Sequence, residues 1–181
     1  MPDSDRLWTT VGSAGTLNQA DLAKVTLHQS IVQLGTAVVP PPAAAEAASA
    51  GGGAAVAPEL QLPTIQAVVR YNVTPVDGLF FTPGAGLHYF LKLRCRGNVS
   101  ARLVEVDLQT GAETQRILLN SNTANFQVVV KEENPAAPES KVMDFVEKAY
   151  YVEATLTASA VVIGHPAAIQ IIKIQPDAII Q

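Results

Sequence analysis

The chain has 181 residues, with 12 Lys and Arg against 16 Asp and Glu for a net charge of −4. That length suits one domain and is short for two well-cored ones, and the acidic balance supplies no basic field for a nucleic-acid backbone. Charged residues make up only 15% of the chain, where soluble domains average about 25%, so the surface must be built largely from uncharged polar and apolar groups.

Residues 1–24 read as an arm: Leu7, Trp8 and Val11 lie in a Gly/Ser/Thr-rich stretch, and a helical turn follows around residues 19–24. A basic stretch leading into an apolar core is missing here, which argues against a secretory signal. Apolar runs elsewhere are broken well short of the ~20 residues that span a bilayer. The expected location is therefore cytoplasmic, or outside the cell by a non-classical route.

Residues 25–181 read as a single domain carrying a low-complexity insertion at 38–58, VVPPPAAAEAASAGGGAAVAP. Prolines 40–42 and glycines 51–53 leave only 43–50 between them, too short for an isolated helix, so a long surface loop is expected. Around the insertion the chain reads in period two. A strand is expected over 25–34, and Ala67, Val69, Tyr71 and Val73 alternate with polar neighbours. Leu87, Tyr89, Leu91, Leu93 and Cys95 do the same, after a turn-rich loop that holds Phe80 and Phe81. Arg96-Gly97-Asn98 predicts a tight turn, and Asp107-Leu108-Gln109-Thr110-Gly111 predicts a hairpin, with the Asp accepting backbone N–H bonds and Gly111 supplying a positive φ. Further strands are expected over 113–120, 126–132, 142–145, 149–158 and 168–175. Eight or nine strands with turns at this spacing define an all-β chain, expected as a two-sheet antiparallel β-sandwich with jelly-roll-like connectivity.

The phrases GTLNQADLAKV, AVVRYNVTPVDGLF, ARLVEVDLQTGAET and DFVEKAYYVEATL together resemble a group of small bacterial proteins of unknown activity. The resemblance spans residues 15–174 apart from the insertion. It implies a shared fold and brings no catalytic residues.

Sequence patterns for chemistry are sparse. The single cysteine, Cys95, excludes an internal disulfide and reads as a small buried hydrophobe. His28, His88 and His165 fall on separate segments without metal-ligand spacing, so neither a metal nor a cofactor is expected. Glu105 and Asp107 share a strand face, where a solvated face and a turn cap explain them; a hydrolytic pair would need a third carboxylate opposite. Nucleophile elbows and phosphate loops do not occur, and no enzymatic activity is expected. Lys92, Arg94 and Arg96, flanked by His88, form a basic strand face that suits an anionic ligand or discourages edge pairing.

Both ends of the chain carry unexplained apolar side chains. Ile169 and Ile171 alternate with Ala168, Ile172 and Ile174, so the last strand looks apolar on both faces, and Ile179 and Ile180 follow it. With Leu7, Trp8 and Val11, these residues are expected to contact copies of the chain, as in a homo-oligomer, a filament, or a capsid-like or decoration protein. The alternative is a binding module, for carbohydrate among other ligands, using Phe80, Phe81, Tyr89 and Tyr151. No nucleic-acid partner and no membrane span are expected.

Overall fold

A computed structural model of the protein describes residues 8–35, 64–74, 89–133, 143–159 and 166–176. Among these, nine strands join in one curled sheet in which every pairing is antiparallel. In chain order they are β1 (Trp8–Val11), β2 (Thr16–Leu17), β3 (Val25–His28), β4 (Ile31–Leu34), β5 (Thr64–Val73), β6 (Tyr89–Asp107), β7 (Glu113–Glu132), β8 (Lys148–Ser159) and β9 (Ala168–Pro176). One short helix, α1 (Gln19–Leu22), separates β2 from β3. The spatial order is β2-β5-β8-β6-β9-β4-β3, with β1 on β9 and β7 on β6. The all-β expectation is met.

The 19-residue β6 organises the rest. Its second half, from Asn98 to Asp107, pairs with β8, and its first half, from Tyr89 to Arg96, pairs with β9. β7 runs beside both halves. Between them Gly97 has φ +73, and a Cβ built there would stand 2.6 Å from Ala167 Cα. Only glycine combines that backbone with that approach. The expected tight turn at residues 96–98 is therefore a bend inside one continuous strand, and the two strands expected over 113–120 and 126–132 are one strand of 20 residues.

Leu91, Leu93 and Cys95 before the bend, and Val99, Ala101 and Leu103 after it, are all buried on one face. Strands rise about 3.3 Å per residue, so a straight β6 would hold Tyr89 and Glu105 about 50 Å apart. Instead a single side chain spans them. Arg116, on β7, donates from Nη1 to Glu105 Oε2 at 2.9 Å and from Nη2 to Glu133 Oε1 at 2.5 Å, and its guanidinium carbon lies 6.0 Å from the Tyr89 ring centre. The β6–β7 ribbon is thus folded on itself at Gly97 with its ends clamped together. A register shift beside Arg116, where Leu103 faces Ile117 but Val104 faces Gln115, turns this charged residue toward the interior.

Lys148 also pairs with Glu105. Burial would raise the Glu105 pKa, but Lys148 and Arg116 together outweigh it and hold the carboxyl below its ordinary 4.5. Tyr89 and Tyr150 close the same mouth, their hydroxyls accepting the Met143 and Asp144 amides. Interior side chains from both halves form one cluster that includes Leu156, Val152, Ile172, Ile174, Val32 and Trp8.

The arm at residues 8–24 is part of the sheet. β1 pairs with β9, β2 with β5, and buried Asp21 accepts the Lys24 ammonium at 2.6 Å and the Val68 amide at 3.1 Å. The strand expected over 25–34 is a hairpin turning at Gln29, whose φ is +49. The strand expected over 142–145 is replaced, where described, by an irregular segment and a turn through residue 147. The 107–111 hairpin forms as expected: Asp107 Oδ1 accepts the Gln109 and Thr110 amides, and Gly111 has φ +71. The insertion at 38–58 lies outside the described residues.

Two results should follow. Gly97→Ala adds a clash to a left-handed backbone and should cost about 3 kcal/mol, whereas Gly111→Ala, with nothing within 4 Å of its Cβ, should cost about 1 kcal/mol in denaturant titrations. Glu105→Gln should cost about 2 kcal/mol at neutral pH. Because the folded pKa is depressed, that contribution is present above the ordinary value and is lost as pH falls through the folded one. Wild type and variant should therefore converge in stability on acidification below pH 4.5.

Candidate functional site

The apolar ends of the chain divide cleanly. Trp8 is 6% exposed and faces Ile174, and Ile169 is fully buried, so both belong to this chain's own core. The arm folds back as a strand, and burying an indole stabilises by about 3 kcal/mol. Val11 is 41% exposed and Ile171 half-buried. Leu7, Ile179 and Ile180 lie outside the described residues, as do Phe80, Phe81, His88 and His165.

The two-faced look of β9 comes from a bulge. Arg94 faces Ile171 while the next residue of β6, Cys95, faces Ile169, which leaves Gln170 as an extra residue. One extra residue inverts the inside-outside alternation. Ile169 before the bulge and Ile172 and Ile174 after it therefore point to the same interior, and Ile171 alone points out. Gln170 turns outward as well, accepting the Arg94 Nε–H at 2.6 Å.

Ile171 stands in a row with Val11 of β1, Arg94 of β6 and Val128 of β7. One step along, Thr9, Lys173, Lys92 and Val130 form a second row, and Gln175, Phe90 and Glu132 a third. Four strands thus carry two features that the sequence leaves separate, the outward terminal apolar residues and the basic face. Val128 and Val130 are 58% and 48% exposed. A shallow groove of about 280 Å³ runs over this face, its lining including Lys92, Arg94, Val128, Ile171, Lys173 and Gln175. Arg96 is tied down away from the groove, donating to Gln33 Oε1 at 2.8 Å and covering the Phe126 ring.

Lys92 and Lys173 are direct cross-strand partners. Like charges placed opposite each other repel, and among the described residues neither these lysines nor Arg94 has an ion-pair partner. On the other half of the sheet a cluster of outward charges is neutralised locally. Glu153 on β8 accepts from Arg70 at 2.7 Å and from Arg102 at 2.7 Å. Burial acts to raise its pKa, yet the two guanidinium groups hold it below the ordinary value.

The acidic residues Glu105 and Asp107 both have structural partners. Glu105 is locked in the mouth clamp, and Asp107 caps its turn, where the Thr110 amide and hydroxyl hold its carboxyl low. Tyr89 is buried and Tyr151 lies half-buried under Arg70, with the two on opposite faces of the sheet, so they form no common aromatic platform. His28 is exposed on β3. Among the described residues no group of three His, Cys, Asp or Glu could hold a metal ion, and no helix is long and apolar enough to cross a membrane.

No family model and no curated protein matches the chain. Among solved structures it is similar to a chain in the cryo-EM structure of the giant freshwater prawn Macrobrachium rosenbergii extra small virus VLP, at 11% identity over 77% of this chain and 96% of that one. The TM-score is 0.13, too low to indicate a common fold.

The assignment of inward and outward residues has a direct consequence. Trp8→Ala should cost about 3 to 5 kcal/mol of stability, while Val11→Ser and Ile171→Ser should each cost under about 1 kcal/mol. Thermal and denaturant unfolding of the three variants measures the split.

Proposed function

We propose that the protein is a non-enzymatic structural subunit that assembles with copies of itself, and that its folded sheet serves as a two-layer, jelly-roll-like sandwich in that role. The observation that carries this reading is the outer face of β1-β9-β6-β7. There Val11, Val128 and Val130 stay exposed and Ile171 half-exposed, in rows that run out to β7, a 20-residue strand paired along one edge only among the described residues. A long edge with exposed valines invites a further strand or face. The low charge content acts in the same direction, since little net repulsion opposes contact between copies.

Within this reading, Val11 and Ile171 are the described terminal residues available for contacts, with Leu7, Ile179 and Ile180 beside them in the proposal, and the bacterial group resembled in sequence would share the β architecture. Among the described residues a carbohydrate-binding role has no comparable support, since Tyr89 and Tyr151 lie on opposite faces of the sheet. The test is light scattering of the full chain during size-exclusion chromatography over a range of concentrations. Mass should rise above the monomer's 19.1 kDa, and Val128→Ser with Val130→Ser should lower it while the far-UV dichroism stays β. A monodisperse monomer at high micromolar concentration would remove the assembly reading.

A further inference from the structure

The basic groove has a counterpart elsewhere on the same molecule. At the mouth of the folded ribbon two turns lie side by side, the hairpin after β6 and the turn before β8, joined by the Leu108 amide donating to the Glu147 carbonyl at 3.0 Å. They present two of the most exposed large apolar residues described, Leu108 at 58% and Val146 at 82%. The same two turns carry Asp107, Asp144 and Glu147, the first two accepting turn amides at Oδ1. Lys148, the nearest cation in sequence, is already paired with Glu105. The result is an acidic knob with an apolar tip.

The groove is the complement in both respects. It offers Val128 and Ile171 as apolar floor, with Lys92, Lys173 and Arg94 around them lacking ion-pair partners among the described residues. An anion set between the opposed lysines would relieve their repulsion. A second copy brings carboxylates already grouped beside apolar residues, matching the groove in both charge and hydrophobic character.

We propose that copies of this chain associate head to tail, the Leu108–Val146 knob of one docking in the Lys92–Arg94–Lys173 groove of the next. This rests on the assembly reading above and specifies its geometry. Because knob and groove are different surfaces, the contact is heterologous and repeats into a ring or a filament rather than stopping at a symmetric dimer. Opposite charge sets its register and its salt dependence.

A charge-swap experiment separates the possibilities. One variant carries Lys92→Glu and Lys173→Glu in the groove, and the other Leu108→Lys and Glu147→Lys in the knob. All four sites are outside the buried core, and far-UV dichroism with thermal melting checks that each variant folds. Each alone should fall to monomer, with its dissociation constant raised at least about tenfold. Mixing them should restore assembly, because the acidic groove then meets a basic knob and the unaltered groove meets an unaltered knob. Wild-type assembly should also weaken as salt is raised. If wild type assembles and either swapped variant assembles equally well alone, or if mixing monomeric variants restores nothing, head-to-tail docking is wrong while assembly by another surface stands. A wild type that is monomeric throughout removes both readings.

Discussion

Everything in this protein depends on a ribbon of two long strands being folded back on itself. Gly97 permits the bend, because a left-handed backbone and a 2.6 Å approach to Ala167 leave room for no side chain. Arg116 holds the result, reaching Glu105 at one end of the ribbon and Glu133 at the other. A charge buried this deeply is tolerable only because two carboxylates surround it, one of which, Glu105, is paired in turn with Lys148. Removing one partner would leave the other buried and uncompensated, which makes the cluster a lock on this geometry more than a source of stability. Once the ribbon is folded, Leu91, Leu93 and Cys95 on one half and Val99, Ala101 and Leu103 on the other contribute to a single interior, and β8, β5, β9 and β4 extend it on either side.

The same fold decides what faces outward. Bulges at Arg116 and Gln170 reverse the alternation locally, turning a charge inward in the first case and changing which isoleucines are interior in the second. The outward remainder on β1, β9, β6 and β7 is a mixed apolar and cationic face with repelling lysines at its centre. On β5, β8 and the second half of β6 the outward charges are neutralised in place, Glu153 lying between Arg70 and Arg102. A face left without such neutralisation is the part of the surface best suited to a partner.

Strand content was legible because period-two alternation depends only on which side of a sheet each residue occupies. Tyr71, Leu93, Val152 and Leu156 are inside as their spacing implies. The 107–111 hairpin was legible because Asp and Gly are the residues that turn demands. What escaped were places where tertiary contacts override local chemistry. Arg-Gly-Asn at 96–98 reads as a turn in any short window, and only its two sets of partners make it a bend. Gln29 turns a hairpin with a positive φ that usually advertises itself through Gly or Asn. The two-faced apolar pattern of β9 suggested a neighbour for its second face, and a one-residue bulge accounts for it inside one chain. Trp8 looked available for the same reason, since four residues of strand in a Ser/Thr-rich arm give almost no periodic signal. The basic face was visible as a strand pattern, but its meeting with Val11 and Ile171 required the register between β1, β9 and β6.

Folding of the ribbon on itself can be measured without reference to any partner. Spin labels at Leu108→Cys and Glu132→Cys, both exposed positions, in a Cys95→Ala background would report the distance between its two ends by pulsed electron resonance. A ribbon folded at Gly97 and clamped by Arg116 places the labels under about 30 Å apart, whereas an unfolded, straight ribbon separates them by about 60 Å at the rise of a β-strand. The short distance is the predicted result, and the long one would contradict the architecture on which both the core and the outer face rest.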